Sequence, residues 1–211
     1  MNMPYKEIPI IALSCNLVVV TGSAFHFIRY KQVNLKFILP FVITSIPFAY
    51  FAGLISVEKK YFTIILGICL LTAGVRMLVR RNDNYEQTKG PSIFLSSIIG
   101  SILGFLSGLV GIGGGIFLSP LMYNFKWAKP KEISALCCLF IFFNSIAGLI
   151  GQLQKVDSFE TINSYWGLII AVFIGGQLGS LISINKLKPR YVELLTAILV
   201  TLLSLRVLFF S

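Results

Sequence analysis

The sequence predicts an all-α protein that crosses a membrane several times, built as two pseudo-repeats of three spans around a glycine-broken hairpin. Three observations predict it. Only 12% of the 211 residues are charged and 56% are hydrophobic, about half the charge of a soluble domain. Apolar runs of membrane-crossing length succeed one another with short polar loops between them. One further apolar stretch is interrupted by a glycine triplet.

A crossing helix needs about 20 mostly apolar residues. Six stretches meet this: 8–27, 37–57, 61–79, 133–153, 165–184 and 191–210. Residues 1–7 hold one Lys and one Glu ahead of an apolar run too long for a signal h-region, so they do not read as a cleaved leader. The whole chain, 1–211, reads as one transmembrane domain, with a mean hydropathy of +0.85. A charge of +10 would suggest nucleic acid in a soluble protein. Here the basic residues fall in loops, as the positive-inside rule expects, and no nucleic-acid partner is predicted. Cys15, Cys69, Cys137 and Cys138 lie in apolar runs and form neither a disulfide framework nor a zinc pattern.

The first three spans resemble the last three. Ala12-Leu-Ser-Cys15 aligns with Ala135-Leu-Cys-Cys138, an offset of 123, and Ala24 then meets Ala147 and Val33 meets Val156. Tyr61, Arg76 and Leu78 meet Tyr191, Arg206 and Leu208 at an offset of 130. The pseudo-repeats are bounded at 6–81 and 131–210, with the hairpin at 91–126. Such duplication is common in secondary transporters.

Between the repeats stands Gly104-Phe-Leu-Ser-Gly108-Leu-Val-Gly111-Ile-Gly113-Gly114-Gly115-Ile-Phe-Leu-Ser119-Pro120. Consecutive glycines destabilise a helix because their backbones lose most entropy on ordering. The reading is a helix ending near Ile112, a glycine turn, and a short helix over 116–125 with Pro120 in its first turn. Ten residues span about 15 Å, half the hydrocarbon core, so the second arm cannot cross alone. Its first amides lack intrahelical acceptors and form a dipole end suited to an anion. Gly100, Gly104 and Gly108 recur every fourth residue, as in close helix packing. Packing alone does not explain the triplet.

Loop charges bear on the topology. If the glycine segment crossed once, basic loop residues would divide seven to nine between the faces. If it enters and leaves by one face, they divide twelve to four, leaving aside Arg76 and Arg206. The positive-inside rule prefers the second arrangement. A re-entrant hairpin opening to the cytoplasm follows, with both termini outside and the repeats inverted.

Gly108-Leu-Val-Gly-Ile-Gly-Gly-Gly115, Ser119-Pro120-Leu121, Pro130-Lys131-Glu132 and Asn144-Ser145 with Ala147-Gly148 together resemble the sulfite exporter TauE/SafE permease family. The resemblance covers residue 92 to the C-terminus. It implies transport of small anions, often sulfite or organosulfonates, in a multi-pass protein of the bacterial cytoplasmic membrane. One departure stands out: each half of the family pattern opens with a glycine block, and this sequence has the second only.

The candidate substrate-binding residues are Gly111, Gly113, Gly114, Gly115, Ser119 and Pro120, with Asn144 and Ser145 in the next span and Thr21 at the matching repeat position. Uncharged polar groups at that depth also serve simply to bind a neighbouring helix, and for Gln152 and Gln177 packing is the stronger reading. His26 reads as interfacial, and Arg76 and Arg206 as snorkelling from helix ends. Buried cysteines usually act as small hydrophobes. No Asp or Glu falls deep in any span, which disfavours a cation cargo. No catalytic residue, metal or cofactor is predicted.

The function expected is alternating-access movement of a small anion, with that solute and the lipid bilayer as partners. Two alternatives stay open. One is a truncated or partner-dependent subunit, completed by a second copy or a complementing chain. The other is an intramembrane serine hydrolase on Ser107 and His26, which requires the pair to lie within hydrogen-bond reach.

Overall fold

The fold is that of a computed structural model. It describes residues 7–29, 35–56, 58–79, 90–128, 130–155 and 166–186, with 198–199, 201–202 and 204–205 of the last apolar run. The helices are α1 (Ile8–Arg29), α2 (Leu35–Leu54), α3 (Lys59–Val79), α4 (Ile93–Val110), α5 (Gly115–Asn124), α6 (Pro130–Leu153) and α7 (Trp166–Lys186). No strand occurs among the described residues. Most of the expected span 191–210 lies outside them.

The chain forms two compact units, Met1–Ser56 with Tyr85–Phe173, and Val57–Asn84 with Ile174–Ser211. Within the second, Gly74 of α3 lies against Thr201, whose backbone nitrogen would be 3.2 Å from a Cβ at that glycine. The first unit holds the glycine segment and is described below.

Glycine contacts fix the directions of the helices in the first unit. Gly100, Gly104 and Gly108 of α4 sit in turn on the backbones of Phe41, Ser45 and Ala49 of α2. The two helices therefore run the same way, joined by the small-residue stripe read from the sequence. Gly53 of α2 faces Gly148, Gly151 and Gln152 of α6, while Ile38 and Phe41 share a core with Ile133 and Leu136. So α6 also runs with α2. In α1, Leu13 lies against Gly148 and the Val20 carbonyl faces Cys138, so α1 runs opposite to α6.

The same register shows where the chain reverses. Gly108 faces Gly148; Gly113 faces Ser145 and Ile141; Gly115 faces Ile141 and Cys137. Moving forward from α4 into α5 thus moves backward along α6. The ten residues of α5 cover about 15 Å, close to the length of α6 between Pro130 and Ile141. The start of α4 and the end of α5 consequently lie at the same end of this unit.

Helix α4 has 18 residues, about 27 Å, and is long and apolar enough to cross a membrane, as are Lys36–Leu54 and Glu132–Leu153. One detail differs from expectation. Helix α5 begins at Gly115, which puts Pro120 in its second turn rather than its first. There its missing N–H leaves the Ile116 carbonyl without the usual intrahelical donor.

Buried Leu118, Met122, Trp127, Leu136, Phe140 and Phe41 form the centre of the core. Large apolar side chains such as Leu39, Phe51, Phe94, Ile102 and Ile150 point outward. An outward apolar face on helices of this length suits lipid, and the protein is a multi-pass membrane protein.

Candidate functional site

The site is built from the break between α4 and α5. Ser92 caps α4, its hydroxyl accepting from the Leu95 amide at 3.3 Å. The helix ends where Gly111 takes a left-handed conformation (φ 82°) and donates its N–H to the Ser107 carbonyl at 2.8 Å. Gly113 (φ 79°) and Gly114 (φ 73°) continue the turn. Such angles cost any residue with a Cβ about 1–2 kcal/mol. Space excludes one as well: at Gly113 it would lie 2.9 Å from Ile141 Cγ2, 3.1 Å from Asn16 Nδ2 and 3.3 Å from Ser145 Oγ.

A helix broken within an apolar bundle exposes carbonyls on one side and amides on the other. The carbonyl side is met by two side-chain amides. Gln152 of α6 donates to the Gly108 carbonyl at 2.8 Å, and Asn16 of α1 donates to the Gly111 carbonyl at 3.4 Å. On the amide side, Phe117 and Leu118 are the first residues of α5 to find a backbone acceptor, both at the Gly114 carbonyl. The amides of Gly115 and Ile116 precede those bonds.

Unpartnered hydroxyls gather at this turn. Ser145 Oγ and Ser107 Oγ are wholly buried and have no hydrogen-bond partner among the described residues. Ser145 reaches toward Gly113, and the Ser107 Cβ lies 3.3 Å from the position a Cβ would take on Gly114. Other serines of α4 behave differently. Ser96, Ser97 and Ser101 each donate to the carbonyl four residues back, at 2.9 to 3.0 Å. Asn144 is also buried; its Nδ2 donates to the Phe140 carbonyl at 2.8 Å, while its Oδ1 has no partner. Because the donating nitrogen fixes the amide's orientation, that oxygen cannot be exchanged for it.

Of the residues expected at the site, Gly111, Gly113, Gly114, Gly115 and Ser145 are brought together. Asn144 occupies the same turn of α6 as Ser145. Ser119 stands on α5 and is hydrogen-bonded to the Cys137 side chain. Pro120 belongs to α5, and its side chain lies outside the described set, as do those of His26, Arg76 and Gln177. Thr21 is exposed on α1 and hydrogen-bonds the Leu17 carbonyl of its own helix, so it is not gathered with the others. In its place α1 contributes Asn16, a midspan amide that the repeat alignment passed over. Gln152 takes the packing role. Ser107 has no base in contact among the described residues, which a hydrolytic nucleophile would need.

The apolar stretches that line the site are uncharged, while Glu7 just ahead of them keeps one carboxylate oxygen buried. Residues 8–25, 37–54, 93–125 and 133–153, which build it and its surroundings in this unit, contain no Lys, Arg, His, Asp or Glu. The site can offer a negative solute a helix dipole, bare amides and hydroxyls, but no ion pair.

Comparison with known proteins relates the chain to membrane transporters. The family model for the sulfite exporter TauE/SafE matches residues 1–207. A probable membrane transporter protein of Sinorhizobium fredii is 27% identical over 201 residues, covering 93% of this chain and 81% of that protein. One of Methanocaldococcus jannaschii is 28% identical over 198 residues, covering 87% and 72%. One of Bacillus subtilis is 23% identical over 229 residues, covering 95% and 81%. No solved structure matches the chain.

Proposed function

The chain belongs to the sulfite exporter TauE/SafE family, and we propose that this membrane transporter moves a small oxyanion of the sulfite or sulfonate class by alternating access. One observation carries the reading. The Gly115 and Ile116 amides precede the first backbone bonds of α5, and two residues earlier Gly113 faces the buried hydroxyl of Ser145, which has no partner among the described residues. Dipole, amides and hydroxyl all favour negative charge. The apolar stretches that line the break hold no carboxylate to ligate a cation, although Glu7, just ahead of α1, keeps one carboxylate oxygen buried.

The proposed setting is a re-entrant hairpin, α4 and α5 entering and leaving by one membrane face. Same-end placement of the start of α4 and the end of α5 supports it, as does the twelve-to-four loop charge division. The opposed directions of α1 and α6 support inverted repeats.

Counterflow tests the function. Purified protein in liposomes preloaded with unlabelled sulfite should accumulate labelled sulfite transiently, and likewise for methanesulfonate. Uptake no greater than in protein-free liposomes for either solute would overturn the reading.

A further inference from the structure

We propose that the site selects by charge number: it takes singly charged oxyanions, such as hydrogen sulfite or an organosulfonate, and rejects the fully deprotonated dianions of the same shape. This rests on the anion-transport reading above and adds the ionic form of the cargo. The first argument is electrostatic. A helix N-terminus presents about half an elementary charge, and the surrounding helices of this unit add no cation within 8–25, 37–54, 93–125 or 133–153. The cost of withdrawing an ion from water rises with the square of its charge, so a dianion loses far more hydration than a monoanion. Neutral hydroxyls and amides offset that loss for one charge much better than for two.

The second argument is the balance of donors and acceptors. Donors at the break are the Gly115 and Ile116 amides and the hydroxyls of Ser145 and Ser107. Acceptors are present as well. The Leu103 carbonyl is 3.2 Å from the position a Cβ would take on Gly114, and Asn144 holds a buried oxygen with no partner beside Ser145. The O–H of hydrogen sulfite brings the donor that the Asn144 oxygen lacks; an organosulfonate carries no such proton and is favoured by its single charge alone. A dianion brings only more lone pairs. Among the described side chains, Glu7 just ahead of α1 keeps one carboxylate oxygen buried, two residues from the Pro9 that lies against Gly111. Lys36, Tyr50 and Glu132 stand near the ends of α2 and α6, and the other described titratable groups on these helices are thiols. Cys137 is engaged by Ser119, and Cys138 donates toward the Val20 carbonyl at 3.5 Å. Neither supplies positive charge.

The experiment is counterflow in proteoliposomes with equal pH on both sides, across a pH series spanning the second ionisation of sulfite. Labelled sulfite, methanesulfonate and sulfate are compared. Methanesulfonate is a single charge throughout the series; sulfate has nearly the same tetrahedral shape and two charges. Methanesulfonate rates should stay level with pH. Sulfite rates should fall as pH rises, in step with the hydrogen sulfite fraction. Sulfate should run more than about tenfold slower than methanesulfonate. Sulfate carried within that factor, or sulfite rates that hold or rise with pH relative to methanesulfonate, would overturn the selectivity while leaving the transporter reading intact. Absence of flux for all three would remove the transporter reading and this inference with it.

Discussion

Ser145 and Ser107 are buried hydroxyls with nothing to bond among the described residues, an arrangement that lowers stability by about 1–3 kcal/mol per group. Removing such a hydroxyl should therefore do no harm to the fold. Thermal unfolding in detergent should show Ser145→Ala and Ser107→Ala at or above the wild-type midpoint. Gly113→Ala, forced to hold φ 79° and to press on Ile141, should fall by at least about 1–2 kcal/mol. A lowered midpoint for the serine variants would mean that the hydroxyls hold the fold together. The glycines and Ser145 were legible in the sequence because their residue types are costly inside an apolar segment. Thr21 was not placed correctly, since the repeat alignment carries position without carrying what packs there. Asn16 was overlooked for the same reason, although an amide in the middle of an apolar run was itself a signal.

At the level of the helices, two kinds of glycine share one segment. Gly100, Gly104 and Gly108 let α4 rest on the backbone of α2, while Gly111, Gly113 and Gly114 turn the chain. A Cβ on Gly108 would strike the Ala49 carbonyl, and no side-chain rotation can relieve a backbone contact. Gly108→Ala should cost about 1–3 kcal/mol by overpacking. Gly167→Ala in α7, where nothing lies within 4 Å, should not destabilise, since alanine is the better helix former. Equal loss in both variants would show that the spacing of the stripe is incidental. The spacing alone separated stripe from turn in the sequence. It did not fix the start of α5: Pro120 suited a first turn, but the helix nucleates at Gly115, where the left-handed glycines release the chain.

On the scale of the molecule, membrane character and family were readable from composition and the glycine–proline block, and the family match extends over 1–207. Helix directions were not readable from periodicity, because each span is apolar on most sides. They emerge from which glycine meets which backbone, and they put α2, α4 and α6 in one direction with α1 and α5 opposed. Loop charge had indicated the same arrangement through an independent physical effect, the retention of basic residues on one face. The site depends on this reversal, since an α5 that ran onward would carry its amides away from Ser145.

Side-selective thiol labelling in intact cells measures the reversal directly. In a background with the native cysteines replaced by alanine, single cysteines would be placed at exposed Ser92, Phe125, Ser56 and Gln154. Ser92→Cys and Phe125→Cys should react from the same side, and Ser56→Cys and Gln154→Cys from the other. Labelling of Ser92→Cys and Phe125→Cys from opposite sides would contradict the hairpin and the anion site built at its turn.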